Sequence, residues 1–207
     1  MNAQAHDLLR IPADSLCTLM EPRWVKEVRR RCPWVVVRRD SSPEGLVPVG
    51  IRGVDRSQRW GALVMQESIE EIIRPEDVLL RSATRTPALA ALRQLREKWS
   101  GMALMWGPAG SVGFELATGQ CVTTEASDLD IVIRAESPIA REDALVLYDR
   151  AASLAVRADI RVETPTCGFS LEEFAQSSSG RILLRYPGGA TLGNDPWKAI
   201  SMWATWP

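Results

Sequence analysis

The chain contains one histidine, His6, among its 207 residues. That scarcity excludes a histidine-built metal centre and leaves any Ser-His-Asp mechanism dependent on a single imidazole near one terminus. The four cysteines, Cys17, Cys32, Cys121 and Cys167, are far apart, with neither CxxC nor zinc-knuckle spacing, so free reduced thiols are expected. No apolar run reaches the length of a membrane span. The first residues carry Asp7, with Arg10 the nearest cation, and so lack the pattern of a secretory leader. A cytoplasmic protein with no membrane partner is the expectation. There is no long run of one charge sign and the formal net charge is −1, which argues against a nucleic-acid partner or a polybasic anchor.

What charge there is divides unevenly. Residues 1–100 hold 17 Lys and Arg against 13 Asp and Glu, and residues 101–207 hold 8 against 13. A basic first half can contact phosphate or an acidic partner and an acidic second half can hold a metal, although an ordinary solvated surface gives the same distribution. The length suffices for one large domain or two small ones. No repeat or low-complexity tract interrupts it.

Two expected strands, Val35–Arg39 and Leu46–Arg52, flank the turn-rich Asp40–Gly45. Within the second, Val47, Val49 and Ile51 share a face, and Pro48 predicts a sheet edge. Thr86 and Pro87 start a helix with Leu89, Leu92, Leu95 and Trp99 on one face. A strand over Met102–Trp106, a sharp turn at Gly107–Gly110 and a short helix closed by Gly119 follow. Further along, Ser137 and Pro138 begin a helix, Ala158–Glu163 alternates as a strand, Ser170 and Glu173 form a capping box, and Ile182–Tyr186 is a strand. The fold class predicted is α+β (or α/β): a small β-containing domain over 1–80, then a mixed sheet packed with helices over 81–207.

The chemistry concentrates in the second part. Gly110 and Ser111 open a helix after a glycine turn, where unpaired N–H groups and the helix dipole suit phosphate oxygens. Sixteen positions after Ser111 begins Ser127-Asp128-Leu129-Asp130-Ile131-Val132-Ile133. Strand alternation puts Asp128 and Asp130 on one face with Cα atoms roughly 6 to 7 Å apart, near enough to share divalent cations that clamp a phosphate chain. Asp159, and second to it Glu163, supplies a third acid on the next strand. Each of these two acids also has a plain reading as the partner of an arginine such as Arg161 or Arg134.

In order, the glycine-serine turn, the Asp-Leu-Asp strand and the third acid resemble the DNA polymerase β-type nucleotidyltransferases, although the interval here exceeds their usual spacing. Longer strings sharpen the likeness. WGPAGSVGFELATG, SDLDIVIR, RADIRVETPTCGFSLEEFA, RILLRYPGGATLGNDPW, AHDLL and VPVGIRG together resemble the malonate decarboxylase holo-acyl carrier protein synthases, or phosphoribosyl-dephospho-CoA transferases, over nearly the whole chain.

The resemblance implies a nucleotidyltransferase-like second domain and an enzyme whose donor is 2′-(5″-triphosphoribosyl)-3′-dephospho-CoA. Its acceptor is a serine of the acyl carrier protein subunit of malonate decarboxylase, and pyrophosphate is released. The family's catalytic pair maps onto Asp128 and Asp130, which with Asp159 would hold Mg²⁺ (or Mn²⁺), while Gly110 and Ser111 would bind the departing pyrophosphate portion. Carrier proteins are usually acidic, so some of Arg29, Arg30, Arg31, Arg38, Arg39, Arg52, Arg56 and Arg59 would form the dock. Trp197 is the one tryptophan with a case for stacking on adenine. Two other readings stay open: a nucleotidyltransferase using ATP, and a non-catalytic protein that binds the CoA derivative or the carrier.

Overall fold

The computed structural model describes residues 2–18, 20–53, 57–79 and 85–198. Alternating apolar residues build a first sheet from β1 (Leu8–Arg10), β2 (Leu16–Cys17), β3 (Trp34–Val37), β4 (Leu46–Arg52), β5 (Arg59–Met65) and β6 (Glu71–Ile73). The order is β2-β5-β4-β3-β1-β6, antiparallel throughout. Helix α1 (Arg23–Arg31) lies between β2 and β3 in sequence. Val25 from that helix joins Leu9, Ile11, Val35, Val37, Val47, Val49, Ile51 and Val64 in one buried cluster.

The shared face of Val47, Val49 and Ile51 is therefore core, but β4 is an interior strand and not the edge that Pro48 predicts. In an extended strand the nitrogen and carbonyl of one residue point to the same side. Pro48 accepts from the N–H of Arg38 at 2.8 Å, so its missing donor faces the point where β3 has just ended. What is lost is the single reciprocal bond to the Arg38 carbonyl, one residue past the last β3–β4 register pair.

The second sheet has the order β12-β11-β10-β9-β8-β7. Its strands are β7 (Met105–Pro108), β8 (Leu129–Arg134), β9 (Ala158–Glu163), β10 (Gly168–Ser170), β11 (Ile182–Tyr186) and β12 (Gly189–Gly193). Only β8 and β9 run parallel, and α4 (Arg141–Ala152) is the crossover that a parallel pair requires. With α2 (Pro87–Lys98), α3 (Gly110–Thr118) and α5 (Leu171–Gln176) it packs on a core containing Trp99, Phe169, Leu92, Leu95, Leu129, Ile131 and Ile133. The arrangement is α+β, one antiparallel sheet followed by a mixed sheet with helices.

Two boundaries move relative to expectation. Met102 and Leu104 make local bonds to Trp99 and Met102, so β7 begins only at Met105, where register with Arg134 becomes possible. Helix α4 starts at Arg141, not at Ser137 and Pro138: Glu142 and Asp143 then occupy the first turn, where the dipole favours acids, and Arg141 reaches the carbonyls of Phe174 and Gly180. Among the described residues no helix is long and apolar enough to cross a membrane.

Candidate active site

Strand β7 runs through Ala109 into α3, and the Ala109 N–H donates to the carbonyl of Asp130 at 2.8 Å, which ties the turn to the acidic strand. Gly110 has φ +55°. A Cβ there would overlap the Asp130 carboxylate, so the left-handed backbone and the close approach both require glycine. Ser111 follows in the first turn of α3, among N–H groups that have no partner within the helix.

Asp128 is exposed immediately before β8, and Asp130 is half-buried within it. Asp159 on β9 stands directly opposite Asp130 in the parallel register. Burial raises the Asp130 carboxyl above the usual carboxylate range, and the charges of Asp128 and Asp159 push it further; His6 and Arg161 oppose them. Turn and three acids, the residues singled out in the sequence, thus meet at one end of the β8–β9 pair. Asp159 is also held by Arg161 at 3.2 Å, in line with its plain reading. Glu163 lies four residues further along β9, buried between His6 and Arg39 and not beside Asp130. Among the described residues, no three Asp, Glu, His or Cys side chains form a ready metal cage.

The residue that sequence reasoning set aside is His6. It is held against β3 by its own N–H, which donates to the Val37 carbonyl at 3.0 Å, and it has the one positive φ among described non-glycine residues, 74°. Nε2 lies 3.0 Å from Glu163 Oε1. The ring lines a small void of about 30 Å³ with Ala109, Gly110, Gly113 and Phe114, bringing the first sheet against the phosphate-type turn. Next to it Asp7, fully buried, accepts from Arg134 at 2.7 Å, and Arg134 Nε is 3.6 Å from Glu76. Since Arg134 and Glu163 are register partners, His6 and Asp7 clip the far end of the two strands that carry Asp130 and Asp159. A lone histidine more than a hundred residues from the acids carries no spacing signal, so this contact was not readable in advance.

Burial, followed by the cations Arg134, Arg39 and Arg161, lowers the His6 pKa to about 4. Unfolding releases it to an ordinary value near ~6.5, so between those values the unfolded chain binds the extra proton. Stability should therefore fall as pH drops from 7 towards 5, and His6→Gln should flatten that slope. Denaturant midpoints at stepped pH measure it; a steeper slope in the variant contradicts the assignment.

A model of the phosphoribosyl-dephospho-CoA transferase MdcG N-terminal domain matches residues 4–75, and one of the corresponding C-terminal domain matches residues 76–196. A phosphoribosyl-dephospho-CoA transferase of Pseudomonas putida is 40% identical over 202 residues, covering 97% of this chain and 98% of the relative. One from Klebsiella pneumoniae is 40% identical over 200 residues (93% and 95%), and one from Azotobacter vinelandii 36% over 204 residues (96% of each). The chain belongs to the phosphoribosyl-dephospho-CoA transferase family. It is accordingly a transferase. No solved structure matches it.

The remaining residues sort against that family background. Of the arginines expected to form a dock, Arg29 is buried, bonded to Glu21 and to the Pro12 carbonyl, and Arg39 is committed to Glu163. Each is paired with a carboxylate of the fold. Arg38 is exposed but pairs with Asp40 at 3.1 Å. Arg30, Arg31, Arg52 and Arg59 are exposed, the last two directly opposite on β4 and β5; Arg56 lies outside the described residues. Trp197 is half-buried, donating to the Ala135 carbonyl at 2.9 Å and packing edge-on against Phe169 and Phe174. Those contacts pack the ring against the core of the second sheet.

Proposed function

We propose that this transferase moves the 2′-(5″-phosphoribosyl)-3′-dephospho-CoA group from its 5″-triphosphate precursor to a serine of the malonate decarboxylase acyl carrier protein subunit, with loss of pyrophosphate. The observation that carries the reading is the crowding of the Asp130 carboxylate against Gly110, with Asp128 and Asp159 near enough to raise its pKa. Carboxylates brought this near to one another beside a helix N-terminal turn would suit a cation and a phosphate chain together.

The residues fit a divalent ion of the Mg²⁺ type, which commonly takes one or two carboxylates and fills its other positions with phosphate oxygens and water, so no complete protein cage is needed. Asp128 and Asp130 would hold Mg²⁺ (or Mn²⁺), with Asp159 as the third acid. The ion would supply charge neutralisation at the reacting phosphoryl group. Gly110 and Ser111 bind and orient the β- and γ-phosphates through backbone N–H groups and the Ser111 hydroxyl. In the transfer the serine oxygen bonds to the phosphorus attached to the 5″ oxygen, the bond from that phosphorus to the pyrophosphate oxygen breaks, and Asp159 accepts the serine proton. The product is a phosphodiester. Exposed Arg30, Arg31, Arg52 and Arg59 are the cations left to meet an acidic carrier.

The test mixes the protein with the unmodified carrier, the triphosphate donor and Mg²⁺. Intact-mass spectrometry should show the carrier gaining one phosphoribosyl-dephospho-CoA group, and a carrier whose acceptor serine is changed to alanine should gain none. An unchanged carrier mass, or equal labelling from ATP, would reject the proposed donor.

A further inference from the structure

The long interval between the glycine-serine turn and the aspartates has a structural explanation. Helix α3 uses its first part, through Thr118, and Gly119 ends the helix with φ 75°. The loop that follows folds back onto one side chain of the same helix, Glu115, which is only 9% exposed. Its Oε2 accepts from the N–H of Val122 at 2.8 Å, from the N–H of Thr123 at 2.7 Å and from the Thr123 hydroxyl at 2.8 Å. Arg85 adds a guanidinium bond at 2.9 Å. Thr123 is itself buried and accepts from the Thr86 hydroxyl at 3.2 Å, next to the start of α2.

From Thr123 the chain has little freedom before Asp128. The Thr124 N–H donates to Ser127 Oγ at 2.9 Å and the Ser127 N–H returns to the Thr124 carbonyl at 3.1 Å. Leu129, on the other side of Asp128, is bonded to the Arg157 carbonyl at 2.9 Å. A solvent-exposed loop of this length needs no buried charge to close it, and burying a carboxylate is costly unless donors converge on it. Here they do.

We propose that Glu115 is a positioning residue for Asp128, one that fixes the entry of the chain into β8 relative to the Gly110–Ser111 turn at the head of its own helix. The inference rests on the reading of Asp128 as a catalytic acid. Because Gly110 and Glu115 lie in one helix, one carboxylate sets the spacing between the phosphate turn and the exposed aspartate. A misplacement of about 1 Å in such a site can cost up to about a hundredfold in rate.

The test uses Glu115→Ala, Glu115→Gln, which retains one acceptor oxygen, and Thr123→Val, which removes only a hydroxyl. With carrier, donor and Mg²⁺, kcat should fall about ten- to a hundredfold for Glu115→Ala and less for the other two, with the donor KM changed by less than about threefold. Hydrogen exchange of the peptide spanning 119–128 should speed by about tenfold or more in Glu115→Ala, while the amides of α3 before Glu115 keep their protection. If Glu115→Ala does not fold, the Gln and Val variants carry both measurements. Unchanged exchange over 119–128, or a wild-type kcat in folded variants, overturns the proposal. Faster exchange over 119–128 in Glu115→Ala, together with a wild-type protein that modifies no carrier, would retain the pinning by Glu115 and reject the assigned reaction instead.

Discussion

Asp130→Asn should abolish carrier modification, by at least about a hundred- to a thousandfold in kcat, without weakening the fold. Losing one charged group aimed at a transition state commonly costs on that scale. The stability half of the expectation comes from the crowding at this position. Asp130 is held above the ordinary carboxylate range by burial and by Asp128 and Asp159, so its ionised form works against folding at neutral pH. A neutral amide of the same shape removes that repulsion. The thermal midpoint at pH 7 should equal or exceed that of the wild type while the carrier's mass stays unchanged. Transfer within tenfold of wild type would remove Asp130 from the chemistry. A large fall in midpoint would make it a structural acid.

Arg134→Ala should have the opposite signature, with stability lost first. Arg134 is 8% exposed and stands between the carboxylates of Asp7, which is fully buried, and Glu76. Removing one partner of a buried ion pair typically costs about 3 to 5 kcal/mol. The pH dependence identifies the cause. Burial already raises the Asp7 carboxyl despite Arg134 beside it, and without the guanidinium it rises further above its unfolded value of about 3.9. The penalty is then greatest at neutral pH and is relieved as Asp7 protonates. Urea denaturation of wild type and variant from pH 7.5 to 5 should show the gap narrowing; a widening gap would mean that packing of the arginine stem, and not its charge, matters at the seam.

Both positions lie on β8, and their different legibility has a physical basis. Asp130 sits in a short apolar strand whose alternation is local, Asp128 directly precedes it, and Gly110 and Ser111 follow a glycine turn whose backbone demands are local too. The same holds for Pro87, the first residue of α2, and for Ser170, whose hydroxyl caps α5 by accepting from the Glu173 N–H; Thr86 holds the N-cap position, but its hydroxyl bonds Thr123 and not the helix. Arg134 is different. Its partner Asp7 is 127 residues away, and nothing in the spacing of either residue anticipates the pair. His6 and Glu163 are separated by 157 residues and are equally silent. Pro48 misleads for a related reason, since whether a missing N–H matters depends on where the neighbouring strand stops.

By itself the sequence determined the α+β class, the acidic strand, the glycine-serine turn and the family likeness, because each follows from period, turn chemistry or contiguous strings within a few residues. The tertiary structure alone decided that Asp159 faces Asp130 while Glu163 is spent on His6 and Arg39. It also decided that Arg29 and Arg39 are internal counter-ions, and that Glu115 holds the chain leading to Asp128. Those outcomes depend on which buried charges find partners across the sheets, and a linear pattern carries no record of that pairing.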